Sequence, residues 1–217
     1  MDTEMFAGFQ SFRITTNADP EVSIYGFKGP ESSPRLPALL LLHGFPQSRH
    51  MWHRVAPQLV DKYTVVIIDI RGYGESSKPD GVAAYAKSAM AHDCAVVMEE
   101  LGFDDFYVCA HDRGARVAHK LCVDYPRRVK KAIFLDICPT LAMYSSTDLA
   151  FAKAYYHWFF LIQPEPLPET LIASNPRIYA ELTMGGRQKE GISIFDKDCL
   201  EYYVKGLGDP ATVHASK

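Results

Sequence analysis

The most informative segment of the sequence is Phe106-Tyr-Val-Cys-Ala-His-Asp112-Arg113-Gly114-Ala-Arg116. Its apolar start predicts a strand that is buried on both faces of a parallel sheet. A helix follows at once, with apolar residues at helical spacing: Val117, Ala118, Leu121 and Cys122. A strand and a helix that meet this directly require a sharp turn, and Asp112 is the residue at its centre.

Strand, tight turn and helix form the context of a nucleophile elbow, which pushes one reactive side chain out at the carboxyl end of a sheet. The central residue is usually Ser, and here it is Asp112. Strand and helix nearly touch at such a turn, so small neighbours are needed, and Gly114 meets that need. Ala110 stands where a first Gly is usual. The alternative is that Asp112 only caps the helix, because Asp is a favoured N-cap residue.

Composition limits the class of protein. A chain of 217 residues with 47% hydrophobic content predicts one globular domain with room for an insertion. A net charge of −3 gives no electrostatic reason to expect nucleic acid or an anionic membrane as partner. No apolar run approaches the ~20 residues of a membrane span. We expect no metal, since no His/Asp/Glu cluster has convincing spacing, and no cofactor.

The cysteines and the first residues of the chain indicate in which cellular compartment to expect the protein. Cys109, Cys122 and Cys138 lie in apolar strand or helix patterns, which predicts buried thiols in a reducing environment. The first residues have neither the basic nor the apolar region of a secretory signal. We therefore expect a cytoplasmic location.

Short strands alternate with helices before residue 140. Strand patterns occupy residues 9–15, 21–27, 38–42, 63–70, 106–110 and 130–136, and helix patterns occupy residues 51–60 and 85–101. The first two strands read as an antiparallel pair, and a loop rich in Gly, Pro and Ser follows at 29–37. Alternating buried strands and helices predict an α/β fold with a mostly parallel sheet flanked by helices.

The pattern changes after Thr140. Apolar residues at helical spacing form one stripe over residues 151–162, and three prolines then end it, at Pro164, Pro166 and Pro168. Further helices are predicted near residues 176–182 and 196–207. We therefore divide the chain into a core at 1–140 and a helical cap at 141–217.

Four motifs resemble the α/β-hydrolase fold, and more narrowly the fluoroacetate (haloacetate) dehalogenases. They are His43-Gly-Phe-Pro46, Arg71-Gly-Tyr-Gly74, His111-Asp-Arg-Gly114 and Leu135-Asp-Ile-Cys-Pro-Thr140. The pair His157-Trp158 adds to the narrow match, and the resemblance runs from about Gln10 to His214. It implies a small-molecule substrate and a homodimer.

The chemistry of the residues supports this family independently. A carboxylate nucleophile at Asp112 can displace halide from carbon, which leaves an ester that a second step must hydrolyse. Backbone N–H groups of Phe45 and Arg113 are expected to receive the charge that develops on the ester carbonyl. Arg113 and Arg116 share one helical face and suit a substrate that carries its own carboxylate. The alternative is a solvated pair of surface arginines.

The resemblance assigns further roles. His157 and Trp158 would give ring N–H donors to the leaving halide, and Asp136 would orient a catalytic histidine. Each assignment has a plainer alternative: Trp158 as cap core with His157 at its edge, and Asp136 as an ordinary strand-end residue. His43 is expected to stabilise the loop after its strand.

The family also implies a catalytic histidine on a loop after the last strand, beyond the cap. Only His157 and His214 follow Asp136, and neither follows a strand pattern. We therefore expect the sequence to be truncated, without the last strands and the histidine loop. Such a chain would be inactive or limited to a single turnover.

Three hypotheses of different classes remain. The first is a haloacid dehalogenase. The second is an epoxide hydrolase, in which a tyrosine, Tyr155, Tyr156 or Tyr179, donates to the epoxide oxygen. The third is a non-catalytic fragment. Arg113 speaks against the second, because epoxide hydrolases of this fold usually place Trp directly after the nucleophile.

Overall fold

The computed structural model describes residues 2–31, 36–186 and 189–217. The chain divides into two compact units, Met1–Pro139 and Thr140–Lys217. Part of the predicted loop at 29–37 lies outside the described residues.

The first unit is built around a six-stranded sheet. Its strands are β1 (Gln10–Ala18), β2 (Glu21–Lys28), β3 (Ala38–Leu42), β4 (Thr64–Ile68), β5 (Phe106–His111) and β6 (Val129–Leu135). Their order across the sheet is β1-β2-β4-β3-β5-β6. The pairs β1–β2 and β2–β4 are antiparallel, whereas β4, β3, β5 and β6 run parallel. The predicted, mostly parallel sheet is confirmed.

The central strands are apolar throughout because both faces of the sheet are covered. Every residue of β3 and β4 is buried. Leu40 and Leu42 join one hydrophobic cluster, whereas Leu39 and Leu41 join another. Successive side chains of a strand point to opposite faces, so a continuous apolar run fills two cores at once.

Helices of the first unit are α1 (Asp2–Met5), α2 (Lys87–Glu100) and α3 (Asp112–Asp124). The predicted helix end at Gly102 is present, with φ at 77°. The helix predicted at 51–60 is wrong, because the chain there forms only two short 3-10 turns, Arg49–Trp52 and Ala56–Gln58. Pro57 lies within the second turn and has no N–H to continue a helix.

Strand β6 is an edge of this sheet, and its apolar side chains are exposed. Ile133, Phe134 and Leu135 have 56%, 41% and 38% of their surface accessible. Cys138, which follows this strand, is exposed too. The prediction that Cys138 is buried was wrong, because an apolar sequence pattern does not reveal that its strand lies at an edge.

The second unit is helical. Its helices are α4 (Thr140–Ser145), α5 (Leu149–Ala154), α6 (Tyr156–Leu161), α7 (Leu167–Ser174), α8 (Pro176–Ala180), α9 (Lys197–Leu207) and α10 (Pro210–His214). Within this unit α7 packs on α10, and α8 packs on α9. In the described part of the chain, no helix combines the length and the apolar character that a membrane crossing needs.

Two helix predictions for this unit need correction. The single stripe predicted over 151–162 is two helices, because Tyr155 leaves helical geometry with φ at −118° and ψ at 36°. The helix predicted near 176–182 changes after Ala180 into a π-helical turn, Glu181–Gly185. The helix predicted at 196–207 is present as α9.

Candidate active site

The predicted sharp turn lies at Asp112. Strand β5 ends at His111, and Asp112 is already the first residue of α3. Its φ of 47° lies in the left-handed region, which a residue with a Cβ adopts only at a cost. The surrounding packing must therefore hold this residue in place.

Two glycines make room for the turn. A Cβ on Gly114 would lie 2.3 Å from the carbonyl oxygen of His43, which is inside any tolerable contact. A Cβ on Gly44 would lie 2.5 Å from Asp112 Cβ. The end of β3 and the start of α3 thus approach so closely that only glycine fits on either side, as the sequence predicted for Gly114.

One carboxylate oxygen of Asp112 is fixed by the loop after β3. The backbone N–H of Phe45 donates a hydrogen bond to Asp112 Oδ1 across 2.9 Å. Asp112 Oδ1 therefore faces a backbone donor of this loop.

The loop that carries Phe45 is itself tied to the end of β4. His43 is fully buried, and its Nε2 accepts a hydrogen bond from the N–H of Ile70 across 3.0 Å. Burial lowers the pKa of His43 to about 4, so the ring is neutral at pH 7. Further along the loop, Arg49 donates from its backbone N–H to Asp69 Oδ1 across 2.8 Å, and its guanidinium pairs with the same carboxylate.

Three basic side chains lie near Asp112. Arg113 and Arg116 lie in the first turns of α3, and both are half-buried, which disagrees with a fully solvated surface pair. Lys87 begins α2, which packs against α3. Burial, and to a smaller extent the two guanidiniums, lower the pKa of Lys87 to about 6, while Asp112 acts in the opposite direction.

Asp136 lies at the end of the neighbouring strand. Leu135 of β6 is paired in register with His111 of β5, so Asp136 and Asp112 each follow a paired residue. Asp136 also has a positive φ, of 52°, and its side chain is exposed. Within the described residues 2–31 and 36–139, no histidine hydrogen-bonds to Asp136.

His157 and Trp158 lie together on α6 of the second unit. Their ring centroids are 5.9 Å apart, and both side chains are half-buried. Trp158 also packs against the rings of Tyr155 and Phe151, at 4.9 and 5.9 Å. These contacts give Trp158 a packing role, and the predicted donation of ring N–H groups to halide stays a prediction.

The second unit also brings together three potential metal ligands that sequence spacing did not indicate. Oxygen and nitrogen atoms of Glu165, Glu169 and His214 lie within 4.8 Å of one another. Lys217 Nζ, however, lies 2.7 Å from Glu169 Oε1, and His214 pairs with Glu165. A cation of the chain already occupies this cluster, so it forms an ion-pair network.

Comparison with known protein families shows to which family the chain belongs. The family model described as the alpha/beta hydrolase fold matches residues 37–174, well over half of the chain. The chain belongs to the α/β-hydrolase family. The matched region includes β3, the loop with Phe45, the turn at Asp112 and the strand that precedes Asp136.

Individual relatives of this α/β hydrolase include a dehalogenase and an epoxide hydrolase. A fluoroacetate dehalogenase from Burkholderia sp is 44% identical over 216 residues, which are 98% of this chain and 68% of that protein. A soluble epoxide hydrolase from Corynebacterium sp. (strain C12) is 39% identical over 142 residues, 65% of this chain and 49% of that protein. The chain thus spans about half the length of the second relative.

A solved structure agrees with the fold. The crystal structure of a candidate α/β hydrolase from Nostoc sp PCC 7120 is 46% identical and superimposes with a TM-score of 0.87. The match covers 97% of this chain and 71% of that one. The names of these relatives support a hydrolase.

Lys87 is the residue near Asp112 that sequence reasoning missed. It belongs to none of the four motifs, and it precedes Asp112 by a helix and a strand. Only the packing of α2 on α3 brings it to the arginines, and a single sequence carries no signal for that contact.

Proposed function

We propose that this α/β hydrolase is a haloacid dehalogenase in which Asp112 displaces halide from the carbon next to a carboxylate. The observation that carries the proposal is the strained turn at Asp112 together with the hydrogen bond from Phe45 to its Oδ1. A carboxylate is ionised at pH 7, so it can attack carbon without a general base.

The two oxygens of Asp112 would have separate tasks. Oδ2 attacks the substrate carbon, a C–O bond forms, and the C–halogen bond breaks with its electron pair leaving on the halide. Oδ1 becomes the carbonyl oxygen of the ester. When water attacks the ester carbon, negative charge develops on Oδ1, where the N–H of Phe45 already donates. The N–H of Arg113 is proposed as the second donor.

Arg113 and Arg116 would hold the carboxylate of the substrate. A guanidinium binds a carboxylate with two parallel hydrogen bonds, and partial burial strengthens such a pair. Their position beside Asp112 suits a short 2-haloacid, in which the carboxylate and the reacting carbon are adjacent. The 44% identity to a fluoroacetate dehalogenase supports the same substrate class.

The remaining roles are part of the proposal. His157 and Trp158 would donate to the departing halide from a cap formed by residues 141–217, and Asp136 would orient a histidine. We also propose a cytoplasmic location and a homodimer. Because the described first unit has no histidine bonded to Asp136, we propose that these 217 residues form the ester but do not release it efficiently.

The test compares two substrates on the 217-residue chain. Bromoacetate should form about one ester per chain at Asp112, counted by mass spectrometry apart from any alkylated cysteine, and Asp112→Asn should abolish that ester. Styrene oxide should form no ester at Asp112. An ester from styrene oxide but not from bromoacetate would favour an epoxide hydrolase, and neither ester on a folded chain would favour a non-catalytic role. Asp80→Asn, in an exposed loop, is the matched control.

A further inference from the structure

We propose that Asp69 is a positioning residue for the second half of the reaction, the hydrolysis of the ester. It holds the backbone N–H of Phe45 at the place from which that group donates to Asp112 Oδ1. The proposal deepens the function proposed above and rests on it, because its chemical effect requires an ester at Asp112.

The loop that carries the donor N–H, residues 43–49, is anchored at both ends to the segment that follows β4. At its start, the N–H of Ile70 donates to Nε2 of His43 across 3.0 Å. At its end, the N–H of Arg49 donates to Oδ1 of Asp69 across 2.8 Å. The donor N–H lies between these anchors, so its position depends on both.

The chain between the anchors has little slack. The N–H of Gln47 donates to the carbonyl oxygen of Gly44 across 2.8 Å and closes a turn around Phe45. The same turn packs closely on the proposed nucleophile, because a Cβ on Gly44 would lie 2.5 Å from Asp112 Cβ. A shift at either anchor therefore moves the N–H of Phe45 relative to Asp112 Oδ1.

Both carboxylate oxygens of Asp69 accept hydrogen bonds, and the residue is fully buried. Oδ1 accepts from the N–H of Arg49, and Oδ2 accepts from the N–H of Glu75 across 3.1 Å. The guanidinium of Arg49, buried as well, pairs with Oδ2. In asparagine one oxygen becomes an NH₂ group that cannot accept. In either orientation of that amide, Arg49 loses one of its two bonds to this side chain.

The backbone of Asp69 is held independently of its side chain. Its N–H donates to the carbonyl oxygen of Tyr25 on β2 across 2.9 Å. Its own carbonyl oxygen accepts from Ser76 Oγ across 2.6 Å. A substitution that keeps the shape of the side chain should leave this main chain in place, so an effect on Phe45 can be assigned to the carboxylate.

The two half-reactions should respond differently to a displaced donor. Alkylation removes negative charge from the carboxylate of Asp112, whereas hydrolysis of the ester places negative charge on Oδ1. A donor held at Oδ1 therefore assists hydrolysis and not alkylation. Asp69→Asn should slow loss of the preformed ester roughly 10-fold or more and leave the rate of alkylation close to that of wild type. Loss of the ester at the wild-type rate would overturn the proposal.

The direct test follows the amide proton of Phe45 by NMR in the chain labelled with ¹⁵N-phenylalanine, where Phe45→Leu assigns the signal. Asp112→Asn shows where this signal lies when the acceptor carries no charge. We expect Asp69→Asn to move the signal toward that position and to speed its exchange with deuterium roughly 10-fold. An unchanged Phe45 amide in folded Asp69→Asn would overturn the proposal.

Asp93→Asn is the matched control, because it weakens another buried carboxylate–guanidinium pair of the same unit. Asp93 lies on α2, and its Oδ2 accepts from Arg71 Nε across 2.7 Å. A general loss of stability would affect both variants alike. The proposal requires that only Asp69→Asn alters the Phe45 amide and the loss of the ester, and equal effects of the two variants would overturn it.

Hydrogen exchange of the wild-type chain gives a test that needs no variant. If Asp69 holds Phe45 through Arg49, the amides of Phe45 and Arg49 should show similar protection, because the anchored loop opens as one unit. A protected Arg49 amide together with a rapidly exchanging Phe45 amide would overturn the proposal.

The two proposals can fail separately. If Asp69→Asn alters the Phe45 amide but bromoacetate gives no ester at Asp112, the dehalogenase proposal is wrong and the positioning of Phe45 stands. If bromoacetate forms the ester while Asp69→Asn changes neither the Phe45 amide nor the loss of the ester, only the role of Asp69 is wrong.

Discussion

The backbone N–H of Phe45 donates to Asp112 Oδ1 across 2.9 Å and so joins the loop after β3 to the first residue of α3. The two residues are 67 positions apart in the chain. The hydrogen bond depends on the close approach of β3 and α3, and that approach depends on two glycines. Stability and the proposed chemistry are therefore coupled at this point.

The first prediction concerns Gly114→Ala. The added methyl group would meet the backbone oxygen of His43 at 2.3 Å, and backbone cannot move aside cheaply. We expect a loss of unfolding free energy of about 1–3 kcal/mol, in the range of overpacked cores. Denaturant unfolding followed by circular dichroism measures it.

Gly206→Ala is the matched control for that substitution. Gly206 lies in α9, and the nearest atom to an added Cβ would be 3.9 Å away. Alanine there should stabilise the helix by about 0.5–1 kcal/mol. A Gly114→Ala variant as stable as wild type would show that β3 and α3 do not approach as closely as described.

The second prediction concerns the proposed carboxylate clamp. Arg113→Ala and Arg116→Ala should each slow alkylation of Asp112 by bromoacetate roughly 10- to 150-fold, because a charge-assisted hydrogen bond contributes about 1.5–3 kcal/mol. Alkylation by bromoacetamide, which has the same shape and no charge, should change little. The rates are followed by mass spectrometry of the Asp112 peptide.

A control and a contrary outcome accompany this prediction. Arg127→Ala removes an exposed guanidinium near the end of α3 and should affect neither reagent. Equal slowing of bromoacetate and bromoacetamide by Arg113→Ala would point to a structural role for that arginine.

The third prediction is a pH dependence of stability that comes from His43. Its pKa is about 4 in the folded protein and near 6.5 when unfolded, so the unfolded state takes up the proton first. The contribution of His43 to the unfolding free energy is fully present above pH 6.5 and is lost as pH falls through 4. The unfolding free energy should fall by roughly 3 kcal/mol in total.

Comparing the unfolding free energy of variants separates the contribution of His43 from that of other titrating groups. His43→Gln should flatten the fall in unfolding free energy between pH 6.5 and 4, whereas His119→Gln, on the exposed face of α3, should leave it unchanged. Identical slopes for His43→Gln and wild type would contradict a buried, neutral His43.

Much of the fold could be predicted from local sequence. The apolar runs of β3 and β4 are continuous because both faces of the sheet are covered, and that pattern is visible without a structure. In β5, which was predicted to be buried on both faces, only alternate residues are fully buried. The turn at Asp112 was indicated by a strand pattern that meets a helix pattern directly, with the small residue Gly114 two positions after Asp112. Both signals are short-range, and the structure agrees with both.

Features that depend on distant contacts were not predictable. The position of Lys87 beside Arg113 depends on how α2 packs on α3, and the pairing of His214 with Glu165 joins positions 49 residues apart. The helix is interrupted at Tyr155, although apolar residues continue at helical spacing on both sides of it. Periodicity reports which face of a segment is apolar, but it does not report whether the backbone stays helical.

The most direct test of the account is mass spectrometry of the 217-residue chain after treatment with bromoacetate. The proposal predicts one added carboxymethyl group, mapped to Asp112 as an ester that mild base removes, and no labelling of Asp112→Asn at the corresponding peptide. Mapping must separate this ester from stable alkylation of the five cysteines, of which Cys138 is exposed. A folded chain whose Asp112 stays unmodified while its cysteines react would contradict the claim that Asp112 is a nucleophile.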